Sequence, residues 1–296
     1  MRTIVIAGGT DGIGKQLALQ LIRNGEYVVV IGRSSEKGEA LRLEATKLDG
    51  ESKFLFLQAD LSLVSENIRI VHEVSQTVNR IDQLILCAQS QKFSKMYRET
   101  KEGFEHHFAL YFLSRFILSF QFRELLTNAA EPLIINVCAP GVKGNMEWND
   151  LQLQKQSSFN SIKAIMHGSR LNNLLGAAFA QNTADTNIKY ILFNPGAVQT
   201  KGATEAFDHK GLNIFVKLMY KIIGLPVQQA VEPILHFVQS PPEDSLTAYK
   251  QNKKLNIAQV IPNNDQPERL VRLTLALLKQ TYGDLSHPLP PLIVMV

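Results

Sequence analysis

Cysteine is scarce in this chain of 296 residues: Cys87 and Cys138 are the only two. Neither has a CxxC partner or a neighbouring Cys/His ligand spacing, which excludes a disulfide framework and a zinc site. Charge is sparse too. Charged residues make up 20% of the chain, and 31 Lys and Arg against 27 Asp and Glu leave a net charge of +4. No dense basic stripe interleaved with aromatics is present, which argues against a nucleic-acid partner. A small dianionic ligand accounts equally well for so mild an excess. Long apolar runs are missing as well; none reaches the roughly 20 residues that span a bilayer, so no transmembrane segment is expected. The first apolar run begins at Thr3 and leads straight into a glycine loop, leaving no space for a signal peptide's charged region. A cytoplasmic location is the expectation.

What is abundant is alternation. Short β-branched runs at Thr3–Ala7, Tyr27–Ile31, Lys53–Gln58, Gln83–Leu86, Leu133–Val137 and Lys189–Phe193 are apolar throughout. Strands covered on both faces have that texture. Between them, Ile13–Asn24, Ser35–Leu48, Val64–Asn79, Thr100–Thr127 and Ile162–Thr183 carry helical spacing of apolar residues. Strand and helix in turn predict an α/β fold of Rossmann type, a doubly wound parallel sheet with helices on both faces. With 45% hydrophobic residues and no linker, one domain over 1–296 is expected: cofactor half and core over 1–200, and further helices with a proline-rich tail over 201–296. In the latter, Leu212–Leu225, Val227–Val238 and Pro267–Leu278 read as helices. The prolines of His287–Val296 forbid a regular helix there.

Directly after the first strand, Gly8, Thr10, Asp11, Gly12, Ile13 and Gly14 form a GxxxGxG turn that opens a helix. Such glycines permit a tight turn and let a pyrophosphate approach backbone N–H groups at the helix N-terminus. The second strand ends Gly32-Arg33-Ser34-Ser35, without the acidic residue that would bond a free ribose 2′-hydroxyl. Arg33 and Ser34 suit a 2′-phosphate instead, so NADP(H) is the expected cofactor ahead of NAD(H). Asp60 and Leu61 close the third strand, on the ligand side of such sheets, although Asp60 also suits a helix cap.

These motifs resemble the short-chain dehydrogenase/reductase family, and most of all its retinol-dehydrogenase-like branch. The likeness rests on the Gly8–Gly14 loop, Asp60-Leu61-Ser62, Phe104–Leu110, Trp148–Leu151 and Asn194–Thr200, and loosens after about residue 200. It implies that Ala88 and Gln89 border the adenosine ribose and that Pro195, Gly196, Val198 and Thr200 wrap the nicotinamide end. It also implies that the apolar stretch Leu212–Leu225 is a helical lid over a hydrophobic substrate, and that the chain forms a dimer or tetramer.

The family's chemistry requires a Tyr to exchange a proton with the substrate oxygen, a Lys four residues later to lower the phenol's pKa, a Ser to hold that oxygen and an Asn to anchor a proton-relay water. Alignment puts Met166 at the Tyr, Arg170 at the Lys, Ala139 at the Ser and Tyr111 at the Asn. A thioether donates no proton, although Arg170 is suited to ribose hydroxyls. Two YxxxK strings, Tyr97–Lys101 and Tyr249–Lys253, fall in the wrong parts of the chain to replace the pair. Three readings of the function stand at this point. The favoured one is an atypical, non-redox enzyme, such as a cyclase, isomerase or lyase, acting on a hydrophobic oxygen-bearing molecule with Tyr111, Cys138, His167 and Arg170 as its candidate polar groups. The others are an NADP(H)-sensing or partner-binding pseudoenzyme and an unusual NADP(H)-dependent oxidoreductase.

Overall fold

The computed structural model describes residues 1–48, 50–90, 94–155, 159–200, 224–261 and 266–282. Its centre is one eight-stranded sheet of β1 (Thr3–Ala7), β2 (Tyr27–Gly32), β3 (Phe54–Gln58), β4 (Gln83–Leu86), β5 (Leu133–Val137), β6 (Lys189–Asn194), β7 (Leu246–Lys250) and β8 (Lys253–Lys254), in the order β3-β2-β1-β4-β5-β6-β7-β8. All neighbours are parallel except β7 and β8. The central strands are sealed on both sides: Val28 to Ile31 and Leu84 to Leu86 have no accessible surface. β-branched side chains fill both faces of the pleat, as the uninterrupted apolar runs require.

Two cores result, one on each face. On one, α1 (Gly12–Arg23) and α2 (Ser35–Thr46) pack with the helix Val227–Gln239 through Leu17, Leu21, Leu41, Ile234 and Phe237. On the other lie α3 (Val64–Thr77), a composite helix from His106 to Thr127, α7 (Ser161–Asn182) and the helix Gln266–Tyr282. Phe112, Phe116, Phe120, Phe179 and Tyr190 run through this second core as a chain of tilted ring contacts. The doubly wound α/β architecture is therefore the one the strand pattern predicts. Because β1 pairs with both β2 and β4, the strand order reverses there, and the crevice beyond the strand C-termini is where such sheets bind ligands.

Some boundaries differ from the sequence reading. The helix expected from Thr100 starts at His106: the Thr100 N–H bonds the Phe104 carbonyl at 2.8 Å, Gly103 takes a φ of 80°, and the Glu105 carboxylate caps the Phe108 N–H at 2.6 Å. A tight polar turn thus overrides the apolar spacing. The helix is also broken into α4 (His106–Phe108), a π-helical turn at Ala109–Leu113, α5 (Ser114–Gln121) and α6 (Arg123–Thr127). Strands β7 and β8 were not foreseen, because their short, mixed sequence lies at the sheet edge. Tyr249 and Lys253 sit on that antiparallel pair, which removes their YxxxK string from any helix. The proposed lid Leu212–Leu225 lies outside the described residues as far as residue 223, as does the whole tail His287–Val296.

Candidate functional site

A cleft of about 490 Å³ opens over the C-terminal ends of β1, β2, β4, β5 and β6. Its floor is the glycine turn. A Cβ on Gly14 would lie 2.3 Å from the Gly8 carbonyl oxygen, and one on Gly8, whose φ is 82°, would lie 2.6 Å from the Ala88 amide nitrogen. Only glycine lets loop, helix and the end of β4 close so tightly. Asp11 caps α1 by accepting the Gly12 N–H at 2.8 Å. Burial by itself would raise the Asp11 carboxyl, but the ammonium of Lys37 and the Gly12 N–H outweigh it and hold the group below its ordinary range.

Arg33 lines the cleft and Lys37 stands beside it, a second cation the sequence reading missed because it lies within α2 rather than at the strand end. Ser34 does not line the cleft; its hydroxyl is committed to capping α2 by accepting the Lys37 N–H at 3.2 Å. Asp60 and Leu61 line the wall beyond, with Asp60 accepting from the Ser62 N–H and hydroxyl. His106 joins them, its pKa lowered first by burial and then by His107. Thr10, Gly12, Ile13, Ala88, Gln89, Pro195, Gly196, Val198 and Thr200 all line the cleft. A tight turn at a helix N-terminus fits the pyrophosphate of a nicotinamide dinucleotide.

At the opposite end stand Tyr111, Cys138, Ala139, Ile165 and Ser169. The last two, rather than the aligned Met166 and Arg170, are the ones that face the cleft. Among the described residues, α7 offers the cleft only Ile165 and Ser169, which are four apart like the family's Tyr and Lys. Met166 is 44% exposed, His167 is buried away from the cleft, and Arg170 lines a different depression and bonds the Lys143 carbonyl. One residue along a helix is a rotation of about 100°, so a slip of one position moves the pair off the cleft. The chemical deficit remains, since Ile165 supplies no acid and Ser169 no cation.

Two of the remaining polar groups, Ser169 and Tyr111, are already engaged. Ser169 donates to the Ile165 carbonyl at 3.0 Å, so across the 3.1 Å contact the Tyr111 hydroxyl is the donor to Ser169. Burial pushes Tyr111 up to about 12, with Cys138 adding to the rise, and burial pushes Cys138 likewise to about 12. His167, expected as a polar candidate, is lowered to about 4 by burial first and by the nearby Arg170 second. It behaves as a neutral core side chain.

Behind this wall lies a residue the sequence reading passed over. Arg115 is 1% exposed, yet its guanidinium donates to Asn136 Oδ1, the Val137 carbonyl at 2.8 Å and the Ala88 carbonyl at 2.9 Å. It also lies 4.4 Å from the centre of the Tyr111 ring. Asn136 Nδ2 donates on to Asn172 Oδ1 at 2.9 Å, and Asn172 Nδ2 donates to the Tyr111 carbonyl at 2.8 Å, within the π-helical turn. A π-turn in a helix frees carbonyls and recurs at functional sites. The network clamps the ends of β4 and β5 and both long helices around the cleft. Its only sequence signal is one Arg within an apolar run.

Residues 2–211 match the short chain dehydrogenase family. An NmrA-like family domain-containing oxidoreductase of Aspergillus sp. (strain MF297-2) is 26% identical over 205 residues, covering 67% of this chain and 61% of that protein. Retinol dehydrogenase 12 of Homo sapiens is 25% identical over 281 residues, covering 94% of this chain and 86% of that protein. The match to the mouse retinol dehydrogenase 12 likewise spans 61% of its length. Among solved structures, a short-chain dehydrogenase/reductase from Serratia marcescens superposes with a TM-score of 0.64 at 15% identity, covering 84% of this chain and 96% of that one. The Pseudomonas aeruginosa RhlG/NADP active-site complex gives 0.53 at 22%, covering 68% and 74%. These structures share the fold. Among the described residues no helix is long and apolar enough to cross a membrane, and no group of three His, Cys, Asp or Glu is placed to hold a metal ion. The glycine turn, the strand order and the match over residues 2–211 together make the chain a member of the short-chain dehydrogenase/reductase family, in its retinol-dehydrogenase-like branch.

Proposed function

We propose that this protein binds NADP(H) together with a hydrophobic, oxygen-bearing small molecule and does not carry out the proton-coupled carbonyl reduction of its family. The cofactor would be held by the Gly8–Gly14 turn and the N-terminus of α1 at its pyrophosphate, and by Arg33 and Lys37 at a 2′-phosphate. When bound, the cofactor supplies a hydride donor or acceptor. What this chain's own residues contribute is an end of the cleft that orients a ligand hydroxyl, because the Ser169 oxygen remains able to accept.

The observation that carries the reading is the set facing the cleft at that end: Ala139, Ile165 and Ser169, with Tyr111 bonded to Ser169 and raised to about 12. An efficient acid must be free to donate and must titrate near the working pH. None of these groups does both. Turnover, where it occurs, is accordingly a non-redox rearrangement, such as a cyclisation or isomerisation, of a ligand whose hydroxyl donates to Ser169. The internal satisfaction of Tyr111 also favours a second reading, a cofactor-sensing pseudoenzyme, in which binding itself is the output.

Calorimetric titration with NADPH and NADH tests the cofactor reading. NADPH is expected to bind more tightly, and the variants Arg33→Ala and Lys37→Ala are expected to erase the difference. Failure of both nucleotides to bind at millimolar concentration would remove it.

A further inference from the structure

A second depression, also of about 490 Å³, opens on a different face of α7. It is walled by Gly141 to Met146 and Trp148 of the loop after β5, by Arg170, Asn173 and Leu174 of α7, and by Gln259, Val260 and Gln266. Among the described residues no Asp or Glu lines it, whereas Lys143 and Arg170 do, and the carboxylate acting on Arg170 by charge is Glu147 of the same loop. The guanidinium of Arg170 makes one hydrogen bond among the described residues, from Nη1 to the Lys143 carbonyl at 3.2 Å. Its Nε is buried and has no partner, and no carboxylate of the described residues forms an ion pair with it. Asn173 is 3% exposed, and its Oδ1 is buried without a partner. Gly144 closes on the same group: at its φ of 135° a Cβ would lie 2.7 Å from Arg170 Nη1.

Buried polar atoms left unpaired cost roughly 1–3 kcal/mol each, so two in one cavity point to a ligand that pairs them. The free edge of a guanidinium matches the two oxygens of a carboxylate. Asn173 Oδ1 calls for an N–H or O–H on the same ligand, and Met146, Leu174 and Val260 offer an apolar surface. We propose that this depression is a second binding site, separate from the dinucleotide cleft, for an amphipathic carboxylate gripped by Arg170. The residue aligned with the family's lysine thus serves a different ligand.

Trp148 lines the depression and is the only tryptophan in the chain, so its fluorescence reports occupancy in the intact protein. Octanoate serves as the probe, octanamide as its uncharged counterpart and inorganic phosphate as the bare anion. The expected result is a saturable change with octanoate, unaltered by saturating NADP⁺, absent with octanamide and phosphate, and at least tenfold weaker in Arg170→Met. Asn173→Leu provides a second variant should Arg170→Met melt at a lower temperature, and the same weakening is expected. No saturable response, an equal response to octanamide or to phosphate, displacement by NADP⁺, or undiminished affinity in both variants would overturn the proposal.

Discussion

Replacing Arg115 by methionine is expected to destabilise the protein and to loosen the cofactor cleft together. The guanidinium satisfies three buried acceptors, namely Asn136 Oδ1 and the Val137 and Ala88 carbonyls, and lies against the Tyr111 ring. Leaving buried acceptors dry costs roughly 1–3 kcal/mol each, which for three gives about 3–9 kcal/mol. Methionine fills much of the volume and brings no charge to desolvate, so the lower part of that span, about 3–4 kcal/mol, is expected. Urea unfolding followed by Trp148 fluorescence measures the loss, and calorimetry measures NADPH affinity, which should fall because Ala88 and Val137 border the cleft. Arg115→Lys should recover less than half, since an ammonium cannot reproduce the planar fork that reaches β4 and β5 at once. A loss below about 1 kcal/mol, or full rescue by lysine, would refute the claim that this network holds the cleft.

Other side chains give further expected outcomes. Installing Ala139→Ser, Ile165→Tyr and Ser169→Lys should raise NADPH-dependent aldehyde reduction by roughly 10²–10⁴-fold, the usual contribution of general acid catalysis, while Ala139→Ser, Met166→Tyr and Arg170→Lys should not. The reverse pattern would show that Met166 and Arg170, not Ile165 and Ser169, occupy the reacting positions. Arg33→Ala and Lys37→Ala should each weaken NADPH roughly tenfold or more in calorimetry and leave NADH nearly unchanged, at about 1.5–3 kcal/mol per charge-assisted contact. His167 is held at about 4 against its ordinary 6.5, so the unfolded chain takes up a proton between those values that the folded chain refuses. Stability is therefore complete above about pH 6.5 and falls as pH drops toward 4, by up to about 3 kcal/mol. In His167→Gln the urea midpoint should lose that part of its acid dependence; an unchanged slope would show that His167 is not the group responsible.

The sheet was legible because its signal is local and strong. Short runs rich in β-branched residues, as in β1 and β5, admit little besides a doubly covered strand, and the Gly8–Gly14 spacing fixes the turn and helix after β1. Edge strands such as β7 carry no such run. The cleft wall was legible in chemistry but not in phase: Met166/Arg170 and Ile165/Ser169 have the same four-residue spacing, and only packing against the π-helical turn decides which pair faces inward. That packing runs through Gly168, where a Cβ would lie 2.7 Å from the Tyr111 ring. Lys37 and His106 reach the cleft from helices whose spacing gave them no special mark, and Arg115 gains its role only from strands 20 or so residues away, as its bond to Asn136 shows.

The cleft is proposed to accept NADPH while holding no group that completes carbonyl reduction. Monitoring the absorbance of saturating NADPH with the wild-type protein, across a panel of hydrophobic aldehydes and ketones near neutral pH, tests this most directly. The expected trace is flat beyond the uncatalysed rate, with NADPH shown by calorimetry to be bound. Steady oxidation at roughly 1 s⁻¹ or faster, within the ordinary range for enzymes, would contradict it.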